Sequence, residues 1–516
     1  MKKNLILLVS IFVVLVAVSP ACNKDVDGRT DDLAPLQPAS QDVDGGTWLP
    51  ILLTGPQEFA VAAPVAVGTP EYIAQVNEVR GWQQEITKDE KDLVAYWGAG
   101  AVLRWNEILR ELVAKYNLPP FQNDDGTYPF PNANNPLAYP YFPFANPPYA
   151  ARAYAYVSGA QYDALVAAWH YKFQYNREAP YRNSDGIKTL LPTNDLPSYP
   201  SEDAVVAGAA VEMLKLMFPG EQDFIQQKAE EHLRSRLIAG MNIRSDLDAG
   251  FALGKKVAEK FVARARTDRA GASAGNAAYW KQLEDDCLAR GEEPWYSLES
   301  PRRPPMLPLF GKVKPFLFDS LTVIALRPAS PPLVKSPEMK EETEEVYRTV
   351  RNATREQLRI VHFWADGVGT STPPGHWNQI AAEDFIRLNF SEIRWARNMA
   401  LINMALMDAA IVCWDTKFHY FNPRPTQLDP RIKTLTGLPN FPSYISGHST
   451  FSGAAAEILS HINPSRADAY AAMALEASLS RLYGGIHFRA DCERGLVVGK
   501  NVGEYASARA RIDGAE

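Results

Sequence analysis

ARAYAYVSGAQYDALVAAWHYKF at 151–173 and ARNMALINMALMDAAIVCWDTKF at 396–418 are two versions of one segment. The likeness continues: residues 151–266 align with 396–511 at a constant offset of 245 without a gap. PSYPSEDAVVAGAAVEML (197–214) matches PSYISGHSTFSGAAAEIL (442–459), and SRLIAGMNIRSD (235–246) matches SRLYGGIHFRAD (480–491). Of 116 aligned positions 43 are identical, where average usage gives on the order of one in fifteen. Shared helical composition does not reproduce Ile-Lys-Thr-Leu at both 187–190 and 432–435. A repeat of this kind sets the architecture before any local pattern does. Upstream the match continues with gaps: Tyr96-Trp97 resembles Phe363-Trp364, and Trp105-Asn106 resembles Trp377-Asn378.

Both copies read as helical. Ser391 is placed to cap a helix running to about Thr416, with Trp395, Met399, Ile402 and Leu406 at three- and four-residue steps. Pro423 and Pro425 prevent its continuation. Ala454, Ile458, Leu459 and Ile462 form another apolar stripe, ended by Asn463-Pro464. A helix from about Ala467 to Tyr483 runs into Gly484-Gly485, and the next starts near His487. No alternating strand pattern of any length is present. The expected fold is all-α: two related helical bundles in a pseudo-two-fold pair, the carboxy-terminal one catalytic.

Composition agrees with a folded protein. The chain has 516 residues, 46% hydrophobic and 22% charged, which is ordinary for a globular protein and long enough for a large core. A net charge of −7 argues against a sequence-independent nucleic-acid binder, which needs a basic surface. Cys22, Cys287, Cys413 and Cys492 show no CxxC spacing, so neither a disulfide scaffold nor a zinc site is expected. Cys22 follows Lys2-Lys3 and the apolar run Leu5 to Val18. That run is shorter than the ~20 residues of a membrane span, and Ser19-Pro20-Ala21-Cys22 resembles a bacterial lipoprotein signal with Cys22 lipidated.

The expected division is therefore a signal peptide at 1–21, a polar tether at 22–60 and an amino-terminal degenerate bundle at 61–293. A Pro-rich connector occupies 294–336, and the carboxy-terminal catalytic bundle 337–516. Residues 118–150 form a further Pro-, Asn- and Tyr-rich loop. Export, with a lipid anchor on the periplasmic or cell-surface side of a bacterial membrane as the chain's membrane contact, is the expected location.

The two copies differ where chemistry would be. The carboxy-terminal copy holds Lys417, Arg424, Ser446, Gly447, His448, Arg481, His487 and Asp491; the amino-terminal copy has Lys172, Ala179, Ser201, Glu202, Asp203, Arg236, Asn242 and Asp246. Both histidines and one arginine are replaced, and two carboxylates stand where Gly447 and His448 are. Lys417 and Arg424 reach one point across a helix end, and Arg481 adds a second guanidinium. Such bonds to oxyanions are charge-assisted and bidentate. Ser446-Gly447-His448 opens a helix, whose free amides and dipole favour an anion. Three cations and a helix start point to a multiply charged tetrahedral oxyanion such as phosphate or vanadate. His487 and Asp491 lie one helical turn apart, so the carboxylate fixes one ring nitrogen and frees the other as nucleophile or metal ligand. His448 is placed for general acid–base work. His170, His232, His362, His419 and His461 read as packing residues.

Taken together, Lys417-x6-Arg424-Pro425, Ser446-Gly447-His448 and Ser480-Arg481-x5-His487-x3-Asp491 resemble the three-part signature of the type 2 phosphatidic acid phosphatase and vanadium haloperoxidase superfamily. Ile445 departs from it, since the second motif usually begins with Pro. His362-Phe363-Trp364-Ala365-Asp366-Gly367, Thr372-Pro373-Pro374, Trp377-Asn378-Gln379 and Gly311 to Phe316 resemble the long vanadium-dependent haloperoxidase branch, over about residues 60–512. The resemblance implies an all-helical double bundle with vanadate as cofactor. It implies that His487 bonds vanadium, and that Lys417, Arg424, Ser446, Gly447 and Arg481 hold its oxygens. It also implies that His448 assists hydrogen peroxide, and that Trp414 and Phe441 line a halide pocket, although Trp169 at the matching place of the other copy also fits plain packing.

Three functions remain open on the sequence. One is a vanadate-dependent haloperoxidase, with hydrogen peroxide and halide as substrates. A second is a phosphatase needing no vanadate, in which His487 attacks a phosphate ester and His448 protonates the leaving alcohol. The third is a lipoprotein that binds an oxyanion or partner without catalysis. Length and the Trp364 and Trp377 segments favour the first, and the complete residue set argues against the third.

Overall fold

The computed structural model describes residues 33–118, 146–300 and 302–515. The expected signal at 1–21, Cys22 and most of the loop at 118–150 lie outside these residues. Among the described residues every regular element is a helix. The first half holds α1 (Pro70–Trp82), α2 (Lys88–Gly98), α3 (Ala101–Tyr116), α4 (Pro147–Tyr175), α5 (Pro180–Asn183), α6 (Glu202–Met217), α7 (Gln222–Ile238) and α8 (Arg244–Thr267). Next come α9 (Ala277–Ala289) and α10 (Ser320–Ala325). The second half holds α11 (Pro337–Arg351), α12 (Arg355–Phe363), α13 (Thr372–Leu388), α14 (Glu392–Tyr420), α15 (Pro425–Leu428), α16 (Gly447–Ile462), α17 (Ala467–Tyr483) and α18 (Arg489–Ala510). Helices α14 to α18 begin at the offset of 245 from α4 to α8 that the sequence alignment has.

Local chemistry sets these boundaries. Ser391 caps α14 by accepting the Arg394 amide at 3.2 Å, and Asn146 caps α4 by accepting the Tyr149 amide at 2.9 Å. Both long helices end in a left-handed residue, Asn176 (φ 45°) and Phe421 (φ 55°), whose amides bond back to Lys172 and Lys417 carbonyls. α14 thus runs one turn past Thr416. α18 starts two residues after His487, because Asp491 Oδ2 accepts the Phe488 amide at 3.1 Å and so defines the first turn.

The two halves meet along α4 and α14, whose residues are almost all buried. Asn403 of α14 donates to Ser158 Oγ of α4 at 2.9 Å across this seam. By length and composition α14 could cross a membrane, yet that stretch is fully buried in the protein. In each half a glycine lets two helices cross backbone to backbone. A Cβ on Gly254 would lie 2.1 Å from the Val205 carbonyl oxygen, and one on Gly499 would lie 2.1 Å from that of Thr450.

Residues 33–60 do not form the free tether expected at 22–60. Trp48 is 1% exposed and Leu53 is buried. Asp163 of α4 accepts the amides of Ile51, Leu52 and Leu53 at 2.6, 2.7 and 3.0 Å. The connector repeats this: Asp408 of α14 accepts the Phe316 amide at 2.9 Å and the Leu317 amide at 2.7 Å. Gly46 and Gly311 each press on their long helix, at the backbone of His170 and of Asp415. Each half therefore carries a strap tied to a buried carboxylate. The connector also fastens at Met306, whose amide donates to the Asn440 carbonyl at 3.1 Å.

Candidate active site

Helix ends assemble one cleft in the second half. Lys417 lies in the last turn of α14 and Arg424 caps α15. Ser446, Gly447 and His448 open α16. Arg481 is in the last turn of α17, His487 lies between α17 and α18, and Asp491 is in the first turn of α18.

The three cations are at most 1% exposed. Lys417 Nζ donates to the Pro442 and Ser443 carbonyls at 2.9 and 2.7 Å. Arg424 donates through Nη1 to the Ile486 carbonyl at 2.6 Å and through Nε to that of Phe441 at 2.9 Å. Arg481 Nε donates to Ser480 Oγ at 2.8 Å. Among the described residues none of the three forms an ion pair with a carboxylate. Burial therefore pulls the pKa of each downward, most consequentially for Lys417, where Arg424 adds to the effect. Buried positive charge held by neutral groups alone is costly, and an oxyanion is the counter-charge that would relieve it.

The space for one is present. A Cβ placed on Gly447 would find nothing nearer than 3.9 Å, so packing does not require glycine there; the position opens on a cleft. That cleft, about 200 Å³, is lined by Gly447, His448, Arg481 and His487 together with Trp414 and Phe441. Trp414 and Phe441 have ring centroids 5.0 Å apart. The Lys417 ammonium and the Arg424 guanidinium each lie 5.0 Å from the Phe441 ring, so Phe441 backs the cations while its own contacts are packing ones.

His487 is oriented as its spacing from Asp491 implies. Its Nδ1 lies 2.9 Å from Asp491 Oδ2. The same carboxylate accepts from Ser443 Oγ, a residue outside the three motifs although Ser198 repeats it in the first half. With Nδ1–H donating to the carboxylate, Nε2 keeps its lone pair and faces Arg424 Nη1 at 3.3 Å. Burial, then the charges of Arg424, Lys417 and Arg481, hold the imidazole neutral, with its pKa well below the usual value. His448 is neutral too, pushed down to about 4 by burial and then by Arg481. Its Nε2 faces Asp366 Oδ2 at 3.6 Å, and Asp366 Oδ1 lies 3.0 Å from His376 Nδ1. Sequence alone gives His376 no role, and Asp366 stands out there only as part of a longer motif. No spacing links them to His448, because the fold alone brings the 363–376 segment to α16.

The first half fills its equivalent place with its own side chains. Lys172 Nζ pairs with Glu202 at 2.6 Å, and Arg236 Nε pairs with Asp203 at 3.0 Å. His232 Nε2 also meets Asp203, at 3.1 Å. Asn242 Nδ2, in the position of His487, donates to the Ser198 carbonyl at 3.1 Å. The remaining cavity is about 70 Å³. Carboxylates here supply the negative charge that the other half leaves unfilled.

Comparison with known proteins finds what this chain is similar to. Residues 398–504 match the PAP2 superfamily model. Vanadium chloroperoxidase of Curvularia inaequalis is 33% identical over an alignment of 123 positions, which covers 18% of this chain and 20% of that protein. The match thus spans a fifth of the curated relative's length. Among solved structures, one described as the first bacterial vanadium-dependent iodoperoxidase aligns with a TM-score of 0.55 at 24% identity, over 70% of this chain and 91% of the other. The apo form of a bacterial vanadium-dependent chloroperoxidase aligns with a TM-score of 0.47 at 13% identity, over 70% and 94%. Residues 398–504 therefore carry the likeness to the PAP2 superfamily, and the all-helical fold is similar to that of the bacterial iodoperoxidase.

Proposed function

We propose that this chain is an enzyme of the PAP2 superfamily, a vanadate-dependent haloperoxidase acting through its carboxy-terminal cleft. The carrying observation is the trio of buried cations, Lys417, Arg424 and Arg481, without a carboxylate partner beside an open Gly447. That donor set fits vanadate. Lys417, Arg424, Arg481, Ser446 and the Gly447 amide would hold its oxygens, and His487 Nε2 would ligate vanadium. The chemistry bound vanadate supplies is Lewis-acid activation of hydrogen peroxide toward a halide. The chain's own part is electrostatic and protonic. The cations and the α16 amides stabilise negative charge. Asp491 and Ser443 keep His487 Nε2 deprotonated. Neutral His448 accepts a proton from a group entering the cleft and returns it later. Trp414 and Phe441 wall the halide side and limit water there.

The same residues suit phosphate-ester hydrolysis, with His487 as nucleophile, so the test has two arms. Purified protein is assayed with and without orthovanadate for peroxide-dependent bromination or iodination, and separately for ester hydrolysis. Halide oxidation that appears only with orthovanadate is expected. Ester hydrolysis that orthovanadate inhibits, without halide oxidation, overturns the proposal. We also propose that the protein is exported and lipid-anchored at Cys22, on the strength of Lys2-Lys3, the apolar run and Ser19-Pro20-Ala21-Cys22. Mass spectrometry of the mature chain should find an acylated Cys22 as first residue, and an unmodified start elsewhere would refute this.

A further inference from the structure

We infer that His376 is a positioning residue for His448, acting through Asp366. The inference rests on the reading of His448 as the acid–base group of the cleft. His376 lies in the second turn of α13, its ring stacked on Trp364 at 4.5 Å and 28° and met edge-on by Phe363 at 5.0 Å. The ring is thereby held in one plane, with Nδ1 3.0 Å from Asp366 Oδ1. Asp366 has φ 44°, a left-handed conformation that Asp tolerates better than most residues. Its loop is pinned from the first half. Asn117 Nδ2 donates to the Gly367 and Thr370 carbonyls at 2.8 and 3.0 Å, and the Gly369 amide donates to the Asn117 carbonyl at 2.8 Å.

The other Asp366 oxygen faces His448 Nε2 at 3.6 Å. Both atoms are buried and neither has a hydrogen-bond partner. Two unpartnered buried polar atoms that face each other call for a bond between them, and a shift of about half an ångström would make it. Burial alone would raise the Asp366 carboxyl, but the hydrogen bond to His376 and the nearby His448 ring hold it well below the usual carboxylate range. An ionised carboxylate only accepts. His376 must therefore donate Nδ1–H to Oδ1, and His448 must present Nε2–H to Oδ2, leaving Nδ1 of His448 as its basic nitrogen. His376 occupies one carboxylate oxygen and so aims the other.

The first half keeps the aromatic part of this device. His232 stacks on Trp97 at 4.0 Å and 11° and bonds Asp203, the residue in the position of His448. The histidine there comes from α7 rather than α13, so the Trp-stacked imidazole is retained while the group it orients differs.

The test compares three proteins with isotopically labelled histidine; the chain has eight. His376→Phe keeps a ring on Trp364 but loses the donor. His376→Asn keeps a donor near the position of Nδ1. Nitrogen-15 imidazole shifts, with His448 assigned from a His448→Gln sample, read its tautomer directly, without vanadate and with orthovanadate added. In the parent and in His376→Asn, His448 should be the Nε2–H tautomer. In His376→Phe it should become a mixture. Turnover should fall roughly 10- to 100-fold in His376→Phe, with KM little changed, and should return largely in His376→Asn. If His376→Phe does not fold, His376→Gln, whose donor sits nearer Nε2, takes its place. An unchanged His448 tautomer in the donor-less variant, or equal turnover losses in both variants, overturns the inference. If the parent oxidises no halide, the function proposed above fails, while the tautomer measurement still decides the role of His376.

Discussion

His487 keeps an available lone pair because Asp491 and Ser443 meet its other nitrogen, and because three buried cations make a positive imidazole unfavourable. His487→Ala should therefore abolish turnover. Asp491→Ala should lower it roughly 10- to 100-fold, since the ring remains but loses its orientation. His448→Ala should slow turnover by roughly 10²–10⁴ while orthovanadate still binds. Steady-state assays at saturating orthovanadate, paired with binding titrations, separate the three. At this scale the sequence was informative where residues sit at helix ends with short spacing. Lys417 and Arg424, or His487 and Asp491, are near in the chain and hence near in space. Asp366 and Ser443 carry no such mark, because they meet His448 and Asp491 only through packing between distant elements, and His376 joins the site only through Asp366.

The straps show what pattern reading passes over at the scale of elements. Residues 44–53 and 309–318 have neither helical nor alternating periodicity, and their anchorage is backbone amide to the carboxylates of Asp163 and Asp408. Hydropathy has no signal for that, so one strap reads as a tether and the other as a linker. In contrast, α14, α16, α17 and α18 are legible from caps and apolar steps, apart from one further turn of α14 and the turn that delays α18. Gly311→Ala would place a methyl 2.5 Å from the Asp415 backbone. Overpacking of this kind costs roughly 1–3 kcal/mol, so calorimetry should find a melting temperature lower by several degrees. Burial raises the Asp408 carboxyl from 3.8 to about 7. The folded chain then keeps a proton that the unfolded chain has lost, so this group's contribution to stability falls as pH rises from about 4 to about 7 and is flat above. Asp408→Asn lacks that slope. Melting curves should show the parent losing ground to Asp408→Asn between about pH 5 and about pH 7, and a constant difference would contradict the buried, protonated assignment.

Across the whole molecule, two halves of matching helix order treat charge in opposite ways. The first half answers Lys172 and Arg236 with Glu202 and Asp203; the second leaves Lys417, Arg424 and Arg481 for an external anion. The offset of 245 in the sequence and the equal helix starts are what one ancestral bundle copied in tandem would leave, and we read the first half as the copy that lost its chemistry. Lys172→Met should then leave turnover within a few-fold of the parent, whereas Lys417→Met removes a cation from the cleft and should reduce it far more. This division of charge leaves one oxyanion site per chain, lying against His487. Calorimetric titration of the purified protein with orthovanadate tests it most directly. One site per chain is expected, lost in His487→Ala and intact in Lys172→Met. Two sites per chain, or unchanged affinity in His487→Ala, would contradict it.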